Sequence, residues 1–241
     1  MKVAIVMPYY NEKELLVKSV QAVFAQTYKD WILHIIDDGS KPENSMVGAL
    51  SGLGLNHMKM CTIVKKNGGV ATARNSALGL IPHLPDYKYV AYCDSDDVWD
   101  PDYLEKQVAA IEKENADMVY SSVRHRFLDG TIAVPFGIPN PPVFPGLEEL
   151  IKGNFIFISG VMHKVECIKK VGEFDPELNS IEDWDYWVRI AKAGYRIVKN
   201  PDACFTYTVK GAGNGGKSTA QIYERFYKKN AIINNNTNSQ A

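Results

Sequence analysis

Four consecutive residues, Asp94-Ser95-Asp96-Asp97, crowd three carboxylates into one turn of chain. Like charges this close repel one another and require a cation. Carboxylate oxygens are hard ligands, so the pattern suits magnesium or manganese, with phosphate oxygens of a ligand completing the shell. The same turn could simply cap a helix, since Asp and Ser are favoured before one. Its company favours chemistry. The apolar run YVAYCD stands directly in front of it, and three earlier apolar runs end in comparable residues. These ends are Pro8-Tyr9-Tyr10-Asn11-Glu12, Asp37-Asp38-Gly39-Ser40 and Asn67-Gly68-Gly69.

The elements that must position these residues follow from hydrophobic periodicity. Residues 2–8, 31–37, 61–66 and 89–94 are short continuous apolar runs of the kind buried in a parallel sheet. Between them, Leu15, Leu16, Val20, Val23 and Phe24 recur at helical spacing. Weaker helical patterns cover about 43–53 and 70–81. Pro101 suits the first position of a helix capped by Asp100 and running to about Asn115, and ADMVYSSV reads as another strand. This β-α-β-α order predicts an α/β fold with a mostly parallel central sheet and helices on both faces. Ligands of such sheets bind beyond the carboxyl ends of the strands. The four ends therefore predict one composite pocket lined by Pro8, Tyr10, Asn11, Glu12, Asp38, Asn67, Gly69, Asp94 and Ser95.

The second half is less regular. RFLDGTIAV reads as a hairpin turning at Asp129-Gly130. Five prolines between 135 and 146 mark a loop, read as a wall of the site. A short helix near 147–153, the strand FISGVMH, a helix over about 182–193 and a last strand FTYTV follow. The end, NNNTNSQA, is polar and of low complexity.

Together, VAIVMPYYNE, HIIDDGS, NGGVATARN, YCDSDDVW and IEDWDYWVRI resemble the family 2 glycosyltransferases of GT-A fold, in the family's order over about residues 1–210. The resemblance implies an inverting transferase that uses a nucleotide sugar, by default a UDP-sugar, and a divalent metal, manganese or magnesium. It implies that Tyr10 lies against the base and that Asp38 accepts a hydrogen bond from the base edge. Arg74 would lie near the donor phosphates or sugar. Asp94 and Asp96 match the family's DXD acids, Asp96 as the more direct metal ligand and Asp94 nearer the ribose or donor sugar. Asp183 matches the catalytic base. The physics agrees, because glycosyl transfer needs a base for the acceptor hydroxyl and charge neutralisation for the leaving diphosphate. The acceptor would be a glycan, lipid-linked or protein-linked hydroxyl. Residues 1–120 are expected to form the nucleotide-sugar half, 121–210 the acceptor half of the same domain, and 211–241 a flexible lid and tail.

Weaker signals complete the reading. Trp184 and Trp187 follow Asp183; helical spacing points Trp187 to the core and leaves Trp184 open between core and sugar stacking. His163 falls near the expected acceptor side, although a lone histidine is more often structural. Residues 211–218, GAGNGGKS, fit the phosphate-loop pattern GxxxxGK[ST], so an ATPase is an alternative. Only 23 residues follow Ser218, too few for the strands such a fold places downstream. The stretch is read instead as an anion-binding lid in which Lys210, Lys217 and glycine amides close over the diphosphate. An inactive sugar-nucleotide-binding module is a further alternative, opposed by the intact Asp94, Asp96 and Asp183.

Bulk properties bound these readings. The 241 residues suffice for one α/β domain with a sizeable core. Lys and Arg number 27 against 28 Asp and Glu, which gives no basic excess for nucleic acid. The four cysteines are scattered, as free thiols of a reducing compartment would be. Pro8 interrupts the first apolar run before a signal peptide could form, and no window is apolar enough for a transmembrane helix. The expectation is a cytoplasmic protein, able to rest on a membrane surface if its acceptor is lipid-linked. Oligomeric state is not legible.

Overall fold

The computed structural model describes residues 2–131, 141–210 and 220–230. Among them, eight strands form one sheet: Lys2–Tyr9 (β1), Trp31–Asp37 (β2), Met60–Val64 (β3), Tyr87–Tyr92 (β4), Val98–Trp99 (β5), Met118–Phe127 (β6), Val161–Lys164 (β7) and Ile197–Val209 (β8). Their order is β3-β2-β1-β4-β7-β6-β8-β5. The first four are parallel neighbours. β7 runs antiparallel between β4 and β6, β8 pairs parallel with β6, and β5 caps β8 antiparallel. The α/β sheet expected from the sequence is thus present. β7 is the link that makes the two halves one sheet.

Both faces of β1, β2 and β4 are largely buried, which is why these strands read as unbroken apolar runs. Along β1, Val3, Ile5, Met7 and Tyr9 point into one layer, while Ala4 and Val6 point into the other. The first layer is closed by Lys13–Phe24 (α1), through Leu16, Val20 and Val23, and by Tyr103–Lys113 (α4), through Leu104, Val108 and Ile111. The opposite layer takes Ala71, Ala73 and Ala77 of Val70–Leu78 (α3) and Trp187, Val188 and Ile190 of Glu182–Lys192 (α7). Of the short helices, Met46–Leu50 (α2) joins the first layer, and Leu147–Leu150 (α5) and Val165–Val171 (α6) join the second.

Several expectations need correction. α4 starts after Asp102 rather than at Pro101. Asp100 instead pairs with Arg124, and its carbonyl accepts from Tyr103 N at 3.0 Å. The last strand is 13 residues long, and its register shifts against β6 at Ser121–Ser122, where Pro201 interrupts the run. Residues 220–230, assigned to lid and tail, include the helix Ala220–Lys229 (α8). Its Phe226 stacks on Trp184 at 4.2 Å, and Lys229 and Asn230 reach the buried Asp185 at 2.9 and 3.0 Å. Trp184 is therefore core, its Nε1 donating to Leu150 O. His163 is structural as well: it is wholly buried on β7, with Nε2 at 2.7 Å from Tyr92 Oη, and burial lowers its pKa to about 4. The turn at Asp129-Gly130 is present, with Phe127 N donating to Thr131 O, but 132–140 lie outside the described residues. So do GAGNGGKS with Lys217, and 231–241. Among the described residues, no helix is long and apolar enough to cross a membrane.

Candidate active site

The carboxyl ends of β1, β2 and β4 open on a cavity of about 420 Å³. Its lining includes Pro8, Tyr10, Glu12, Asp38, Asn67, Gly69, Asp94, Ser95, Asp96 and Lys210, all anticipated from the sequence. Tyr10 keeps 48 % of its surface exposed, unusual for a ring this close to a core. Asn11 does not line the cavity. It has φ +65°, donates from N to Ser40 Oγ at 2.9 Å and accepts from Lys41 N at 2.8 Å, so it fastens the first strand end to the second. Asp37 shapes the same turn by accepting from Ser40 N at 2.8 Å.

Carboxylate oxygens of Asp94, Asp96 and Asp97 lie within 4.8 Å of one another, with Asp94 and Asp96 lining this cavity and Asp97 lining a second one. Asp94 is anchored by Ser159 Oγ, which accepts from its N at 2.9 Å, and its carboxylate takes Arg74 Nη2 at 2.8 Å. Asp96 takes Lys210 Nζ at 2.7 Å, and Lys210 also pairs with Glu12. Asp97 is buried and accepts from Thr208 N at 3.0 Å. Burial first, then the charge of Asp94, raises the Asp96 pKa against the pull of Lys210. Burial with the charges of Asp96 and Asp94 drives that of Asp97 well up. Burial works against the Lys210 ammonium, yet Asp96 and Glu12 outweigh it and raise its pKa. The cluster thus draws positive charge to itself. An all-oxygen donor set holding an ammonium in place of a cation fits a hard divalent metal. Asp97, read in the sequence as part of the acidic turn and given no role, belongs to the same cluster.

Asp94 also lines a second cavity of about 260 Å³, with Arg74, Asn154, Phe157, Glu182, Asp183 and Tyr207. Arg74 is buried and lines this cavity rather than the first. Its Nη1 donates to Glu182 Oε1 at 2.8 Å, so one guanidinium spans from the acid cluster to the start of α7. Burial opposes its charge, but Asp94 and Glu182 raise its pKa. Asp183 is half-buried in the first turn of α7. Its Oδ2 accepts from Asn154 Nδ2 at 3.1 Å and its Oδ1 from Trp184 N at 2.7 Å. Burial, then the neighbouring Glu182 charge, pushes its pKa up to about 7, against the opposing Arg74 and the two hydrogen bonds. A carboxyl near neutrality beside a cavity can take a proton at working pH. Glu182 and Asn154 were not singled out in the sequence. Glu182 stands next to Asp183, which was signal enough, whereas nothing around Asn154 marks it.

The mostly parallel sheet with helices around it has the GT-A fold of solved glycosyltransferases. Staphylococcus aureus TarS 1–349 in complex with UDP-GlcNAc superposes with a TM-score of 0.75 at 18 % identity, covering 96 % of this chain and 66 % of that one. GalNAc-T7 with UDP, GalNAc and Mn2+ gives 0.75 at 16 % identity, covering 95 % and 48 %. At these identities the likeness is one of fold. The chain itself belongs to glycosyl transferase family 2, whose pattern it matches over residues 4–162. It is 36 % identical over 124 residues to the succinoglycan biosynthesis protein ExoW of Rhizobium meliloti (strain 1021), covering 51 % of this chain and 38 % of ExoW. Glycosyltransferase YwdF of Bacillus subtilis (strain 168) is 26 % identical over 250 residues, covering 96 % of this chain and 85 % of YwdF. The chain spans 38 % of ExoW and 58 % of glycosyltransferase RP339 of Rickettsia prowazekii (strain Madrid E).

Proposed function

We propose that this chain transfers a sugar from a nucleotide-sugar donor, a UDP-sugar by default, to a hydroxyl of a glycan, lipid-linked or protein-linked acceptor, with inversion at the anomeric carbon. The observation that carries the reading is the meeting of two cavities at Asp94, one lined by Asp96 of the acid cluster and the other edged by Asp183. In this scheme the nucleotide lies in the first cavity, with its base against Tyr10 and Asp38. Asp96 and Asp94 hold a divalent metal, manganese or magnesium, which when bound neutralises charge on the diphosphate. Lys210 moves from Asp96 to the phosphates, and Lys217 joins it. Asp183 takes the proton of the acceptor hydroxyl. The hydroxyl oxygen forms its bond to the anomeric carbon as the bond from that carbon to the diphosphate oxygen breaks. The nucleoside diphosphate leaves with the electron pair. Arg74, shared by Asp94 and Glu182, keeps the metal acids and the base in fixed relation. Residues 1–120 then serve chiefly the donor and 121–210 the acceptor.

The ATPase reading has no support from a family match over 4–162, which lies outside GAGNGGKS. An inactive module is separated by experiment. With MnCl2 and a panel of UDP-sugars, the wild type should release UDP slowly in the absence of acceptor, and Asp96→Ala should abolish release. Silence from the wild type across the panel would favour the binding module. Product with retained anomeric configuration, read by NMR, would overturn the single displacement.

A further inference from the structure

The carboxylate of Asp38 sits in a knot of donors at the back of the first cavity. Oδ1 accepts from Lys65 Nζ at 2.6 Å and from Gly68 N at 3.1 Å. Oδ2 accepts from Gly69 N at 2.8 Å and shares Gly68 N at 3.2 Å. The Asp38 backbone is fixed too, its N donating to Tyr9 O and its O accepting from Asn67 Nδ2, both at 2.9 Å. Lys65 has no hydrogen to spare. An ammonium carries three, and Nζ donates to Asp38, to Lys66 O at 2.8 Å and to Thr72 Oγ1 at 3.1 Å. The two loops close on each other only because Gly39, at φ +80°, has no Cβ; one there would lie 2.7 Å from Asn67 N.

A carboxylate offers about four acceptor positions. Lys65 and the Gly68 and Gly69 amides, with Gly68 shared, fill Oδ1 and half of Oδ2. One position remains. Asp38 keeps only 4 % of its surface and lines the cavity together with the exposed Tyr10 ring.

We propose that Lys65 is a positioning residue for nucleobase selection: by occupying Asp38 Oδ1 it leaves one open acceptor, which suits a base with a single N–H at its pairing edge. Uracil and thymine present one imide N–H between two carbonyl oxygens. Guanine presents N1–H and an N2 hydrogen side by side and needs both carboxylate oxygens. Bound here, guanine buries one N–H without a partner, a penalty that reads as about tenfold to a hundredfold in affinity. The inference rests on the proposed donor site, in which the base lies against Asp38.

Calorimetric titration of the whole chain with UDP, GDP and IDP in MnCl2 buffer tests it. The wild type should bind UDP at least about tenfold more tightly than GDP. IDP, whose base keeps N1–H but lacks the 2-amino group, should bind more tightly than GDP. Lys65→Met opens one acceptor position on Oδ1, which keeps the Gly68 N–H, and should narrow the UDP-to-GDP ratio by about tenfold, whereas Lys65→Arg, which keeps a donor, should restore it. General loosening of the loop would weaken all ligands alike and leave the ratio unchanged. Equal affinity for UDP and GDP in the wild type, IDP no better than GDP, or an unchanged ratio in Lys65→Met overturns the role of Lys65 and spares the donor site. Failure of all three nucleotides to bind overturns the donor site and this inference together. Should Lys65→Met not fold, the comparison of IDP with GDP on the wild type still decides.

Discussion

The two cavities that share Asp94 balance charge in opposite ways. In the first cavity Asp38, Asp96 and Asp94 each have a cationic partner: Asp38 has Lys65 and two amides, Asp96 has Lys210, and Asp94 has Arg74. Beyond Asp94, Asp183 has an amide side chain and one backbone N–H, while the nearest cation, Arg74, is committed to Glu182 and Asp94. Burial raises the Asp96 pKa, and against it the Lys210 ammonium supplies compensation. The group proposed to move a proton is left short of it, and its pKa rises to about 7. This unequal compensation is the basis for proposing binding at one wall and proton transfer at the other.

Removing the uncompensated acid should have the largest effect. Asp183→Asn should lower transfer by about 10²- to 10⁴-fold, the range of a lost general base, with nucleotide affinity unchanged. Steady-state kinetics and calorimetry read the two quantities separately, and parallel losses in both would dissolve the division of labour. Next is Tyr10→Ala, on the compensated wall. Loss of a base-stacking ring should weaken UDP by about tenfold to a hundredfold without lowering the melting temperature, because the ring is half exposed.

The pH profile sharpens the contrast. The base must be deprotonated, so kcat should rise with pH through a midpoint near 7 and then level off, and that limb should vanish in Asp183→Asn. The same shift has a stability consequence. Folded Asp183 holds its proton to about pH 7 while the unfolded carboxyl releases it near its ordinary value of 3.8. Stability should therefore fall as pH rises through that window, and less so in Asp183→Asn. The smallest effect is expected at Lys210. Lys210→Met removes the ammonium that competes for Asp96, so Mn2+ alone should bind up to about tenfold more tightly, while the UDP–Mn2+ pair binds less tightly. Mn2+ titration followed by electron paramagnetic resonance separates the two.

How much of this was legible in the sequence follows the same divide. The first cavity is built from strand ends, and β1, β2 and β4 are buried on both faces, so apolar runs followed by polar ends mark both the strands and the residues that line the cavity. Even there the sequence could not separate Asn11, which staples two loops, from Glu12, which lines the cavity. The second cavity gathers Asn154, Phe157, Asp183 and Tyr207 from segments that meet only through tertiary packing. β7 is four residues inserted antiparallel between β4 and β6, too short for a period to declare itself. α8 lies among polar residues, and its one buried side chain, Phe226, becomes meaningful only when placed against Trp184. Asp183 was found through its family motif, since helix-dipole preference alone explains an acid in a first turn. Its raised pKa depends on surroundings that no local pattern encodes.

The central claim is that Asp96 and its neighbours hold the leaving group while Asp183 handles the proton. Calorimetric titration of UDP in MnCl2 buffer into Asp96→Ala and Asp183→Asn, alongside transfer rates for both, tests it most directly. The account predicts that Asp96→Ala loses nucleotide binding and transfer together, whereas Asp183→Asn binds UDP as the wild type does and fails in transfer. Wild-type UDP binding by Asp96→Ala, or loss of UDP binding in a folded Asp183→Asn, would contradict it.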